Sequence, residues 1–200
     1  MKAQIKAEQD AQQQIIDNRK NSIDVSTSAI IGGISESNSG TTLNNTLNLY
    51  GKNIEARSKM AWASYTAGLS FSNAGLGIVH SMAHQLGSEY NLPHGVANAV
   101  LLPHVEEFNM DACGEKFRDI AKALGTCTKD MTTEEANKAA IQAIKDLSAK
   151  VGIPKGLKEL GVKEEDFGKL ADQALADACT GGNPKKVSKE DIIAIYMKAM

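Results

Sequence analysis

Apolar residues recur every three or four positions from Leu47 to the C-terminus, the period of an α-helix that is buried along one side. The stretch from Ile54 to Leu69 is rich in small and apolar residues that suit close helix packing. A second stretch, from Asp111 to Leu124, places its apolar residues on one stripe before a glycine that favours a helix end. These patterns predict consecutive helices.

Two pairs of polar residues mark the starts of later helices. Thr132 precedes Glu135 by three positions, and Ser188 precedes Asp191 by the same spacing. At this spacing the first side chain bonds a backbone N–H of the first turn, and the second reaches back to the cap. The first of these helices should stop at Gly152.

The last third of the chain continues this pattern. It predicts a helical turn over 156–161, a helix over 164–179 and a Gly- and Pro-containing loop over 180–184. No segment after residue 46 gives a convincing strand signal. We therefore predict an all-α helical bundle.

The first 46 residues differ in composition. Residues 1–20 are rich in Ala, Gln, Glu and Lys and suit an exposed helix, whereas residues 21–46 are dominated by Ser, Thr, Asn and Gly and suit a loop with one or two brief strands. Glycines at 32 and 33 invite comparison with a phosphate-binding turn, but too few residues surround them to build a dinucleotide fold. We predict an atypical polar segment over 1–46 and a helical domain over 47–200.

Composition excludes several classes of function. With 200 residues, 42% of them hydrophobic, and a net charge of −2, the chain is suited to a soluble domain without the basic surface that nucleic acid requires. We find no apolar run of about 18 residues, so we expect no membrane span. Its three cysteines form no Cys-x-x-Cys pair, and we interpret them as free thiols of a cytoplasmic protein that fill core or surface positions.

All four histidines lie between Phe71 and His104. His80 and His84 are four positions apart and share one face of a helix. Pro93 suits the start of a new helix, so His94 can face the same space. Such a cluster indicates a metal site or proton transfer, although polar packing remains an alternative at this spacing. It is not a metalloprotease motif, because serine follows the first histidine where HExxH requires glutamate.

The residues around these histidines carry a specific resemblance. The stretches GLGIVHSMAHQLG and YNLPHGVANAVLLPH resemble the signature of the iron-containing (group III) alcohol dehydrogenases, and the likeness extends from about Leu47 to the C-terminus. The resemblance implies the helical C-terminal domain of these dehydroquinate synthase-like proteins.

In that family, a divalent metal, often iron and sometimes zinc, is held by one aspartate and three histidines. The resemblance places His80 and His94 on two of these ligands and His84 on a histidine that lies near substrate and nicotinamide without binding the metal. Phe71 and Asn73 would line the substrate side. The other two family ligands come from an Asp-x-x-x-His pair on an earlier helix, and this sequence contains no such pair.

The function implied is NAD(P)-dependent interconversion of alcohols and aldehydes, in a stretch of chain that lacks the nucleotide-binding domain. The expected partner is a small alcohol or aldehyde, with neither nucleic acid nor membrane, and self-association into a homo-oligomer is left open. The alternatives are a catalytically silent helical oligomerisation module and a metal-binding or hydrolytic protein that uses the same histidines.

Overall fold

The computed structural model describes residues 54–200, so the predictions for residues 1–46 lie outside the described part of the chain. The described part contains seven α-helices and no strand, which confirms the all-α prediction. The helices are α1 (Ile54–Ala74), α2 (Ile78–Tyr90), α3 (His94–Asn109), α4 (Lys116–Ala123), α5 (Thr133–Lys150), α6 (Phe167–Ala176) and α7 (Lys189–Lys198). Among these residues, no helix is long and apolar enough to cross a membrane.

Helix starts and stops follow the side-chain signals closely. Both capping boxes form: Thr132 accepts from the backbone of Glu135 while the glutamate bonds back to the cap, and Ser188 and Asp191 do the same at α7. The helix predicted to begin at 111 instead begins at Lys116, because a 3₁₀ turn over Met110–Ala112 comes first. The prediction was wrong at this boundary.

Helix α2 lies in the main core. It packs against α3 on one side and α6 on another, while α7 packs against both α3 and α6. The Tyr196 hydroxyl on α7 donates to the carbonyl of Met82 at 2.9 Å, which ties the last helix to α2. The fully buried side chains of this core include those of Ile78, Met82, Leu86, Leu101, Leu157, Leu170 and Ile192. This packing makes α2 a rigid platform for the side chains it carries.

A second, smaller core joins α4 to α5. Phe117 and Ala121 of α4 pack against Ala140 and Ile141 of α5. Helix α5 also packs against α3, so this pair flanks the main core. The apolar stripe predicted over 111–124 thus forms the buried side of α4.

Helix α1 is exposed over much of its surface. Only small side chains, those of Ala63, Ser70 and Ala74, are buried, while Trp62 is 67% exposed and Leu69 is 49% exposed. Of the small and apolar residues predicted to pack closely in this stretch, the large apolar ones are thus exposed, and the buried positions of the helix are held by small residues.

Candidate metal centre

Three imidazole rings meet where α2 and α3 face each other. The ring centroids of His80 and His94 are 5.4 Å apart, those of His84 and His94 are 5.5 Å apart, and those of His80 and His84 are 6.2 Å apart. The fourth histidine, His104, lies ten residues beyond His94 on α3, where Lys145 is a charged neighbour. The structure thus brings together three of the four histidines.

The turn between α2 and α3 produces this convergence. Asn91 ends α2 in the left-handed region with φ of 52°, a conformation that asparagine tolerates better than most residues. Pro93 follows with φ of −58° and precedes the first residue of α3, His94. The His94 ring is oriented by Asn98 one turn later, whose side-chain nitrogen lies 3.0 Å from Nε2.

Burial and the neighbouring rings lower the pKa of one of these imidazoles, that of His80. Burial lowers the pKa of His80, and the neighbouring rings of His94 and His84 lower it further, against a smaller opposing effect of Asp177. Neutral imidazole is the form that has a lone pair for a metal ion. His80 is therefore prepared to act as a ligand at neutral pH.

The donor set fits one side of the metal site that the family resemblance implies. His80 and His94 come from different helices and supply nitrogen donors that suit iron or zinc. Catalytic metal sites use at least three protein ligands, and the sequence contains no Asp-x-x-x-His pair to complete the set in the family manner. The residues present therefore offer two nitrogen donors that fit such a site, and the family's other pair is not in this sequence.

Sequence reasoning missed two residues beside the cluster, Asp177 and Cys179. Oδ2 of Asp177 lies 2.9 Å from Nδ1 of His84, and its Oδ1 accepts the backbone N–H of Cys179 at 2.8 Å. Burial works against ionisation, but the bonds from Cys179 and His84 outweigh it, so the pKa of Asp177 is lowered. These residues lie about 90 positions along the chain from the histidines, and they belong to no sequence motif that would have indicated them.

The loop after α6 is held against α2 by several polar contacts. The Thr180 hydroxyl donates to the carbonyl of Ala174 at 2.6 Å and lies 2.7 Å from the hydroxyl of Ser81. The side chains of Asn109 and Asn183 bond each other in both directions, at 3.0 and 2.9 Å. These contacts fix the position of the loop relative to both histidine-bearing helices.

Glycine is required where this loop meets the connection between α1 and α2. A Cβ on Gly182 would lie 1.9 Å from the carbonyl oxygen of Leu76, far inside contact distance. The two backbones therefore approach each other only because residue 182 has no side chain.

Phe71 lies beside the cluster, with its ring centroid 6.2 Å from that of His80, and it is 44% exposed. The side chain of Asn73 bonds the carbonyl of Leu69 on its own helix. Phe71 is therefore a candidate wall for a small molecule at the histidines.

Comparison with known proteins identifies the family of the chain. The profile of the Fe-containing alcohol dehydrogenase family, C-terminal, matches residues 37–200. The chain is 52% identical over 145 residues to lactaldehyde reductase of Escherichia coli (strain K12), covering 72% of this chain and 38% of that protein. It is also 52% identical over 149 residues to 1,3-propanediol dehydrogenase of Citrobacter freundii, covering 74% of this chain and 38% of that protein.

Solved structures show the same relationship. A crystal structure of 1,3-propanediol oxidoreductase matches with a TM-score of 0.79 and 45% identity, over 87% of this chain and 44% of that one. Alcohol dehydrogenase from Oenococcus oeni matches with a TM-score of 0.79 and 43% identity over the same shares of the two chains. The chain thus spans less than half the length of these relatives. It belongs to the Fe-containing alcohol dehydrogenase family and corresponds to its C-terminal helical domain.

Proposed function

We propose that this chain supplies the metal-binding helical part of an NAD(P)-dependent oxidoreductase that interconverts a small alcohol and its aldehyde. The observation that carries the proposal is the approach of the His80 and His94 rings to 5.4 Å from two different helices. The relatives named above are reductases and dehydrogenases of such small molecules, which supports the substrate class. The described cysteines form no disulfide with one another, which is consistent with a cytoplasmic location.

His80 and His94 would hold the divalent metal, iron or alternatively zinc. When bound, such a metal supplies Lewis acidity toward an alcohol oxygen, and the nicotinamide cofactor accepts the hydride. The two histidines contribute neutral nitrogen donors, and the lowered pKa of His80 keeps its lone pair available. Their role is to position the metal against the face that Phe71 borders.

His84 is the residue we propose to take up the hydroxyl proton. With Asp177 ionised, Nδ1 of His84 carries the proton of their shared hydrogen bond, which leaves Nε2 with a lone pair. Since 38% of the His84 side chain is exposed, a proton taken up at Nε2 can pass on to solvent. Asp177 acts through His84 by setting its tautomer.

A chimeric enzyme tests this proposal. The matched segment of Escherichia coli lactaldehyde reductase would be replaced by the corresponding segment of this chain, and alcohol-dependent reduction of NAD(P) and metal content would be measured. We expect turnover that His94→Ala lowers by at least about 100-fold together with metal content, because a ligand is lost. His104→Ala, ten residues further along the same helix, is the matched control and should retain both.

The 200-residue chain alone should show little alcohol oxidation, because its described helices contain no nucleotide-binding βα units. A chimera whose turnover and metal content survive His94→Ala would contradict the assignment of the metal site. Strong NAD-dependent turnover by the isolated chain would contradict the inference that this chain needs a separate nucleotide-binding part.

A further inference from the structure

His84, Asp177 and Cys179 form a cluster of metal-ligand types beside the His80–His94 pair. One ligand atom from each, an imidazole nitrogen, a carboxylate oxygen and a thiol sulfur, lies within 4.8 Å of the other two. We propose that these three residues form a second cation site, which takes a soft divalent ion such as zinc and does not use His80 or His94 as ligands.

The donor set of this cluster suits zinc. Thiolate sulfur and imidazole nitrogen are the preferred zinc ligands, and a carboxylate completes three protein donors with a fourth position left for water. The cluster is also reachable, since 38% of the His84 side chain and 16% of the Asp177 side chain are exposed. An ion can therefore enter from solvent.

Hydrogen bonds already hold the three groups together around the space an ion would take. Asp177 bonds both the His84 ring and the backbone N–H of Cys179. Burial and then the Asp177 carboxylate raise the pKa of the Cys179 thiol, so the sulfur keeps its proton in the absence of an ion. Binding forms the S–metal bond, breaks the S–H bond and releases that proton to water, with no change in oxidation state. The His84 ring coordinates through a nitrogen without a proton, so a ring bound through Nδ1 carries its proton on Nε2 instead.

The surrounding structure keeps the cluster assembled. The Thr180 contact to Ser81 and the reciprocal Asn109–Asn183 pair anchor the loop on either side of the histidine helices. Because the loop is held at α2 before any ion arrives, little ordering remains to oppose binding. Occupancy would also engage His84, so zinc should compete with the proton-accepting role proposed for that residue.

Cobalt(II) titration of the 200-residue chain tests the site directly. Cobalt replaces zinc in such sites, and a bound thiolate gives a charge-transfer absorption that nitrogen and oxygen ligands do not give. We expect this band in the unmodified chain, its loss on adding Zn²⁺, and its absence in Cys179→Ser. Cys127→Ser makes the same change at an exposed cysteine and should leave the band intact.

The double variant His80→Ala/His94→Ala separates this site from the one in the proposed function, and it should keep the thiolate band. Asp177→Asn should weaken cobalt binding by at least about tenfold, as expected when a ligand is lost. A second measurement needs no variant: Zn²⁺ should protect Cys179, but not Cys127, from alkylation in the unmodified chain.

Three results would overturn the proposal: no thiolate band in the unmodified chain, a band that survives Cys179→Ser, or equal alkylation of Cys179 with and without Zn²⁺. Loss of the band in the His80/His94 double variant would assign the ion to the neighbouring site and also overturn it. None of these outcomes depends on dehydrogenase activity.

Discussion

Helices α1 and α2 are neighbours in sequence and differ sharply in burial. Ile78, Met82 and Leu86 of α2 are fully buried, whereas Trp62 and Leu69 of α1 expose about half or more of their surface. Both helices also carry apolar residues along one side: Ile78, Met82 and Leu86 of α2 lie at steps of four, and Trp62, Tyr65 and Leu69 of α1 lie at steps of three and four. Apolar content alone therefore did not distinguish the helix that forms the core from the one that does not.

The two helices also differ in what they contribute to the histidine cluster. The side of α2 that is not in the core carries His80 and His84, and the buried side holds them in position against α3 and α6. Helix α1 reaches the cluster only near its C-terminal end, through Phe71. A rigid buried helix is what a precisely placed group of ligands requires.

The largest effect should come from matched leucine truncations in the two helices. Leu86→Ala removes a fully buried side chain and should lower the free energy of unfolding by about 3 kcal/mol, since it leaves a cavity in the core. Leu69→Ala should change it by less than about 0.5 kcal/mol, because that side chain is 49% exposed. Urea denaturation followed by circular dichroism measures both. Equal losses would mean that α1 is packed as tightly as α2.

Matched glycine substitutions should have effects of opposite sign. Gly182→Ala places a Cβ against the carbonyl of Leu76 and should destabilise the chain by about 1–3 kcal/mol. Gly68→Ala, within α1 where no other atom lies near the added Cβ, should stabilise it by up to about 1 kcal/mol through helix propensity. Thermal unfolding of the two variants checks the comparison. A neutral Gly182→Ala would show that the loop is not held against the connection between α1 and α2.

The smallest effect concerns a carboxyl group on α3. Glu106 keeps part of its surface exposed, yet the dense packing around its carboxyl raises its pKa to about 7 from an ordinary 4.5. Because the folded chain favours the protonated form, this contribution to stability is present below the unfolded pKa and is lost as pH rises from there through about 7.

Glu106→Gln removes that loss. At about pH 8 the variant should be more stable than the unmodified chain by on the order of 1 kcal/mol, a value reduced for the partial exposure of the residue. At about pH 4 the difference should disappear. The measurement is the free energy of unfolding of the variant and of the unmodified chain at the two pH values. If the difference between the two chains is the same at both pH values, the carboxyl is well solvated in the fold.

Local sequence signals predicted much of the helical architecture. The Thr132–Glu135 and Ser188–Asp191 caps act over three residues, so their side chains and backbone are necessarily close once a helix starts. The break at Pro93 likewise allowed the approach of His80 and His94 to be anticipated from their spacing. The family resemblance was also readable, because it lies in contiguous stretches of sequence.

The sequence by itself determined the helical class, the main helix starts and the identity of the histidine cluster, because all of these depend on residues within a turn or two of one another. Only the tertiary structure placed Asp177 and Cys179 beside His84, since that contact requires the loop after α6 to pack on α2. The tertiary structure also decided which side chains are buried. Leu69 and Leu86 have the same side chain, and they differ in burial only because Leu86 has packed neighbours and Leu69 has few.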